Sequence, residues 1–191
     1  MNGIKIGYAM CGSFCTIKKS LEQLRILKES GVDIIPIFSP IVLNTDTRFI
    51  AAKELKEEVE NITGKEILTN IEQTEPIGPK SLLDLLIISP CTGNTMSKIS
   101  AGITDTCVTM AAKAQLRNNK PVLIALATND ALSTGAANLG RLLNVRNVFF
   151  VPFGQDDPIK KPTSMICDFS QLLPAAKYAL EKKQIQPIIC K

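Results

Sequence analysis

Apolar segments suited to buried strands alternate with amphipathic segments along almost the whole chain, and no hairpin dipeptide joins one apolar segment to the next. That alternation leaves few options. Strands separated by helices run parallel, and a parallel sheet has both faces covered by its crossover helices. Residues 4–10 read as the first strand. A helix follows over 14–30, with Ile17, Leu21, Leu24 and Leu27 on one face and Gly31 as the stop. A second strand at 32–38 leads into a polar stretch at 39–47 and a charged helix at 49–61. Segment 63–80 has no clear period and ends in a loop at Pro76, Gly78 and Pro79. Further strands are expected at 84–88, 121–127 and 147–151. Between the first two lies a two-part helix that Gly102 divides and Thr104 or Asp105 restarts. Another helix is expected over 136–144, and a last one near 169–183 after a Pro-rich loop at 152–162. The expectation is a single domain over 1–191, a doubly wound three-layer α/β sandwich around a parallel sheet, irregular from about 152.

Composition narrows the chemistry. The chain contains no histidine, which removes Ser-His-Asp and Cys-His catalysis, imidazole bases and imidazole metal sites. Lys+Arg 22 against Asp+Glu 18 leaves a dispersed +4, so no nucleic-acid partner is expected. The start lacks the basic and long apolar regions of a secretory signal, and no run reaches the roughly 18 apolar residues of a membrane span. A cytoplasmic protein without a membrane partner is expected. Cysteines 11, 15, 91, 107, 167 and 190 form no C-x-x-C pair and read as small reduced thiols, with no metal. The helix at 106–116 is apolar or small around most of its circumference. It needs cover on more than one side, the sheet giving one and a second copy the other, so a homo-oligomer is expected.

Open parallel sheets bind ligands at the carboxyl ends of their strands. Here those ends carry Cys11-Gly12-Ser13, Ser39-Pro40, Ser89 to Thr95, Thr128-Asn129-Asp130 and Pro152-Phe153-Gly154-Gln155, rich in hydroxyls, amides and glycines. Gly12 and Ser13 stand between strand and helix, where free N–H groups favour a phosphate, although a tight turn with a Ser cap also accounts for them. The spacing is neither G-x-G-x-x-G nor a P-loop. Ser39 stands where a dinucleotide site would want an acid for ribose hydroxyls. Between Ser89 and Thr106, Lys98 is the only cation among many small polar groups. Helix capping explains one or two of Thr92, Asn94 and Thr95. The remaining neutral donors and acceptors match the edge of an uncharged heterocycle such as a flavin ring.

Pro90-x-Thr92-x-Asn94-Thr95-x-x-Lys98, continuing to Gly102-Ile103-x-Asp105, resembles the P-A-S-A-N-T segment of the flavin-dependent cysteine decarboxylase family. That family also holds phosphopantothenoylcysteine decarboxylase and the flavin prenyltransferases. Cys91, Thr92 and Gly93 replace its Ala, Ser and Ala. Five further segments narrow the match: Thr45-x-Thr47-Arg48-Phe49, Glu75 to Lys80, Lys113-Ala114-x-Leu116-Arg117-Asn118, Thr128 to Leu132, and Phe150 to Asp156. Together they resemble the family of dipicolinate synthase B subunits. The resemblance implies a Rossmann-like flavoprotein fold, with FMN at Gly12, Ser13, Ser39, Pro90, Thr92, Asn94 and Thr95. It also implies one half of a two-part oxidoreductase. Acting with the dipicolinate synthase A subunit, it would convert a dihydrodipicolinate-type precursor to dipicolinate in the mother cell of a sporulating bacterium. NAD(P) is then expected on the A subunit.

For a small dicarboxylate substrate the candidate holders are Arg48, Lys98 and Asn129, with Lys160 and Lys161 as further cations; a solvated surface role remains open for each cation. No catalytic residue is assigned. A non-catalytic flavin-binding or scaffold subunit that stabilises the A subunit remains the alternative. A decarboxylase or prenyltransferase activity is disfavoured. The cysteine decarboxylases use a histidine base that this chain lacks, and of their P-x-M-N segment only Asn129 is kept.

Overall fold

The computed structural model describes Met1 and residues 3–190. Its central strands are those whose two faces are both apolar. β1 (Lys5–Met10) is buried from its second residue onward, and β3 (Leu85–Cys91) along its whole length. β4 (Val122–Thr128) is buried up to its last residue. β2 (Asp33–Phe38) pairs with β1, β1 with β3, β3 with β4, and β4 with β5 (Val148–Phe150), all in parallel. The direction of winding reverses between β1 and β3. At such a switch point the loops leaving two neighbouring strands part and open a crevice at their carboxyl ends.

Helices cover both faces. α1 (Ile17–Glu29) buries Ile17, Leu21, Leu24 and Leu27, the face expected from their spacing, and Gly31 leaves the helix with φ +86°. It packs beside α8 (Leu172–Leu180), which also rests on β3 and β4. On the other side α6 (Cys107–Arg117) sets Val108, Ala111 and Ala112 against the sheet. Its further sides are covered by α4 (Ile71–Thr74), the 3-10 turn Glu75–Ile77 and α5 (Gly93–Ser100). The cover expected from a second copy thus comes from within the chain, from its irregular segment at 63–80 and from α5. α2 (Pro40–Asn44), α3 (Ala52–Thr63) and α7 (Ala136–Leu143) complete the layers.

Three expectations need correction. α6 is restarted by Thr106, not by Thr104 or Asp105. The Thr106 hydroxyl accepts from the Thr109 N–H at 3.2 Å, and the Thr109 hydroxyl accepts from the Thr106 N–H at 3.1 Å, a reciprocal cap. The charged helix begins at Ala52 instead of Phe49, because Asp46 and Thr47 organise a turn ahead of it. Asp46 Oδ1 accepts from the Ala52 N–H at 2.8 Å, and Thr47 Oγ1 accepts from the N–H groups of Phe49 and Ile50.

The third correction concerns the sheet, which is mixed. The stretch that reads as a Pro-rich loop is a hairpin, β6 (Phe153–Asp157) and β7 (Lys161–Cys167), antiparallel to each other and joined to β4 by antiparallel pairing of β7. Asp157 Oδ1 accepts from the N–H groups of Ile159 and Lys160 and closes the turn, an Asx geometry that tolerates Pro158 beside it. Among the described residues no helix is long and apolar enough to cross a membrane.

Candidate functional site

A cavity of about 720 Å³ opens at the carboxyl ends of β1, β3 and β4, the crevice that the strand order dictates. Three strand-end loops line it through Gly12 and Ser13, Thr92 to Asn94, and Thr128 to Asp130; the β6–β7 hairpin closes one side, and Arg48 and Phe49 stand at the rim.

Backbone contacts fix the floor. The Cys11 N–H donates to the Pro90 carbonyl at 3.1 Å, tying the loop after β1 to the end of β3, and the Ser13 N–H turns back onto the Cys11 carbonyl at 2.8 Å. Ser13 heads the 3-10 turn Phe14–Thr16, and its side chain caps none of that turn's N–H groups. The Thr92 hydroxyl caps α5 by accepting from the Thr95 N–H at 3.3 Å; its proton goes to Thr95 Oγ1 at 3.2 Å. The Thr95 hydroxyl in turn donates to the buried Cys11 sulfur at 3.3 Å. Burial pushes the Cys11 thiol up to about 12 and the Cys91 thiol well above its ordinary value, so both stay neutral, unreactive filler beneath the cavity.

Four charged side chains reach the cavity. Lys161 donates to Asp156 Oδ2 at 2.6 Å, and the carboxylate raises the ammonium pKa. Arg48 lies 4.8 Å over the Phe49 ring and belongs to none of the ion pairs formed among the described residues. Asp46, its near neighbour in sequence, is committed to the Ala52 N–H instead. Asp130 is held by neutral hydroxyls: Thr128 donates to Oδ1, and Thr134 donates to Oδ2 at 3.2 Å.

Of the residues singled out by sequence, Gly12, Ser13, Arg48, Thr92, Asn94, Asn129 and Lys161 meet at this cavity. Pro90 and Thr95 lie beneath it, inside β3 and in the first turn of α5. Lys98 does not line it; its ammonium donates to Asp105 Oδ2 at 2.7 Å across the turn at Gly102. Lys160 is exposed at the hairpin turn, outside the cavity lining. Ser39 stands at the end of β2, where its N–H donates to the Met10 carbonyl at 3.0 Å. Its hydroxyl is buried with no partner among the described residues and does not cap α2.

That orphaned hydroxyl bears on whether a flavin phosphate suits this end of the sheet. A buried hydroxyl without a partner costs about 1–3 kcal/mol, which an acceptor oxygen from a ligand would recover. The adjoining loop is tight as well, since a Cβ on Gly12 would stand 2.8 Å from Ile41 Cγ2 of α2. With the Ser13 side chain free of any capping bond at the cavity, and Thr92 (an acceptor, its proton given to Thr95) and Asn94 opposite, the polar set fits a phosphate at one end and a neutral heterocycle at the other.

Sequence reasoning misses the hairpin residues Asp156, Ser164, Met165 and Ile166, because 152–162 reads as a loop. It also passes over Asp130 as an individual, although its position at the carboxyl end of a buried strand is a usable signal.

Comparison with known proteins agrees with this architecture. Residues 1–179 match the family model described as Flavoprotein. The chain is 43% identical over 189 residues to the dipicolinate synthase B subunit of Bacillus subtilis (strain 168), covering 99% of this chain and 94% of that protein. The crystal structure of the dipicolinate synthase B subunit from Bacillus halodurans superposes with a TM-score of 0.92 at 39% identity, covering 100% of this chain and 99% of that one. An FMN-dependent cysteine decarboxylase from thioviridamide biosynthesis shares the fold at 18% identity and a TM-score of 0.69, covering 94% of this chain and 99% of its own. The chain belongs to the flavoprotein family, as a close homologue of the dipicolinate synthase B subunit.

Proposed function

We propose that this chain is the B subunit of a dipicolinate synthase, an oxidoreductase component that works with an A subunit to convert a dihydrodipicolinate-type precursor to dipicolinate in the mother cell during sporulation. One observation carries the reading beyond the family. Neutral polar groups suited to a heterocycle (Thr92 as an acceptor, Asn94 as donor and acceptor), a cation outside the described ion pairs (Arg48) and a second cation held by Asp156 (Lys161) share a single cavity.

FMN, when bound, supplies a two-electron acceptor. Ser13 and Ser39 are the residues to hold its phosphate; Thr92 and Asn94 are those to face the ring, with Pro90 and Thr95 setting the backbone beneath. One flanking phosphate site favours FMN over a dinucleotide flavin. Arg48 presents a planar fork to one substrate carboxylate, and Lys161 a point charge to the other. Asn129 at the end of β4 adds a neutral donor. Aromatisation of the ring supplies driving force, so the chain has chiefly to orient the substrate and exclude water. Exposed apolar side chains beside the site, Ile41 and Phe49, support a covering partner there, either the A subunit, which we expect to carry NAD(P), or a second copy of this chain.

The test is expression of this chain with and without the A subunit, recording flavin content and dipicolinate formation. Flavin bound here and product formed only by the pair supports the proposal. Full turnover by the unaided A subunit, with this chain colourless, supports the scaffold reading.

A further inference from the structure

The cavity needs a group that can take a proton, and the chain has no histidine. Two carboxylates reach the space. Asp156 is spent on Lys161, its Oδ2 accepting from the ammonium at 2.6 Å. Asp130 has no cation among the ion pairs of the described residues, and both of its oxygens are oriented by hydroxyls, from Thr128 and Thr134. Hydroxyl donors fix a carboxylate's direction without cancelling its charge, and each oxygen keeps a lone pair to spare. Its main chain is equally fixed: the Asp130 carbonyl accepts from the N–H groups of Ser133 at 3.0 Å and Gly135 at 2.9 Å, and from the Ser133 hydroxyl at 3.1 Å. The opposite wall gives way to it. A Cβ on Gly93 would stand 2.5 Å from Asp130 Oδ1 and 2.6 Å from Thr128 Oγ1, so only glycine at the start of α5 leaves room for this carboxylate.

We propose that Asp130 is the proton acceptor of the reaction in this cavity. The inference rests on the dihydropyridine-dicarboxylate reading above. One ring carbon gives up a hydride to an oxidised cofactor of the nicotinamide or flavin class. The neighbouring ring carbon gives up its proton to the Asp130 carboxylate, and the electron pair of that C–H bond closes the last double bond of the aromatic ring. Two electrons and one hydrogen leave with the hydride; one proton remains on Asp130 until it passes to water. Besides Asp156, which Lys161 holds, the exposed Cys15 thiol is the group in the cavity lining, among the described residues, able to compete for this role.

The experiment uses the full chain together with the A subunit. Dipicolinate binding is followed by calorimetry, and steady-state rates are followed against pH, for wild type, Asp130→Asn, Asp130→Glu and Cys15→Ser. Asp130→Asn should lower kcat at least about a hundredfold. It should also abolish the fall of kcat on the acid side while changing dipicolinate affinity by no more than about twofold. Asp130→Glu should restore part of the rate and the acid limb, and it serves in place of Asp130→Asn if that variant does not fold. Cys15→Ser should behave as wild type. An Asp130→Asn enzyme with wild-type kcat and pH profile overturns the assignment, as does loss of the acid limb in Cys15→Ser. A wild-type pair that neither binds dipicolinate nor turns over removes the functional reading itself, and the assignment with it.

Discussion

Gly93 and Asp130 meet across the cavity so closely that the glycine has no room for a side chain, a Cβ there falling 2.5 Å from Asp130 Oδ1. One residue begins α5 and the other follows β4, so the contact locks two walls of the site together. Gly93→Ala gains up to about 1 kcal/mol of helix propensity, against an overpacking cost of about 1–3 kcal/mol. The expected outcome is a melting temperature lowered by no more than a few degrees with kcat reduced at least about tenfold. Thermal denaturation beside steady-state kinetics checks it.

Arg48 stands exposed at the rim, stacked on Phe49 and outside the described ion pairs, so its removal costs the fold little. If it holds a substrate carboxylate in a bidentate grip, lysine cannot replace it. Arg48→Lys should lower kcat/KM by roughly tenfold or more, since a charged hydrogen bond is worth about 1.5–3 kcal/mol, with melting temperature and flavin content unchanged. Unchanged kcat/KM would assign Arg48 to the loop alone.

Buried thiols make the protein sensitive to alkali. Burial raises Cys11 from 9.0 to about 12 and Cys107 from 9.0 to about 11, and it raises Cys91 and Cys167 as well. Below the unfolded thiol value all four are protonated in both states, and stability does not depend on them. As pH rises past it, the unfolded chain releases protons that the folded chain keeps, and stability falls at up to about 1.4 kcal/mol per thiol per pH unit. Melting temperature should hold between pH 7 and 8.5 and drop by roughly 10 °C by pH 10. A flat profile to pH 10 would contradict the burial of these groups.

At the far edge of the sheet a side chain stands in for a strand. Gln184 accepts from the Phe150 N–H at 2.8 Å and donates to the Phe150 carbonyl at 2.7 Å, pairing the outer edge of β5. Gln184→Leu leaves both backbone groups unpartnered, at about 1–3 kcal/mol each. The variant should lose roughly 5–10 °C in melting temperature without changing ligand affinity, read by calorimetry with and without dipicolinate.

The parallel core is legible because each strand is a short apolar run that nothing but a doubly covered sheet can bury; Leu85 to Ile88 and Val122 to Ala127 show this directly. The hairpin is not, because Gln155, Asp156 and Lys161 carry polar side chains and Pro158 and Pro162 carry the marks of a loop. Only pairing with Ala127 and Thr128, distant in sequence, makes β7 a strand. Strand ends point to Gly12, Thr92 and Asn129 as neighbours, since topology alone converges them. Lys98 misleads for the opposite reason: its partner Asp105 lies beyond Gly102, where no helical spacing rule predicts a contact.

The most direct test of the proposed site is titration of FMN into the purified chain, followed by quenching of flavin fluorescence, for wild type and for the double variant Thr92→Val, Asn94→Leu. Wild type should show saturable one-to-one binding. The double variant should retain cooperative melting, weakened by about 1 kcal/mol for the lost α5 cap, and bind roughly a hundredfold more weakly, the equivalent of two hydrogen bonds. A folded wild-type chain that binds no FMN, or a double variant that binds it as tightly as wild type, would contradict the assignment of this cavity to a flavin.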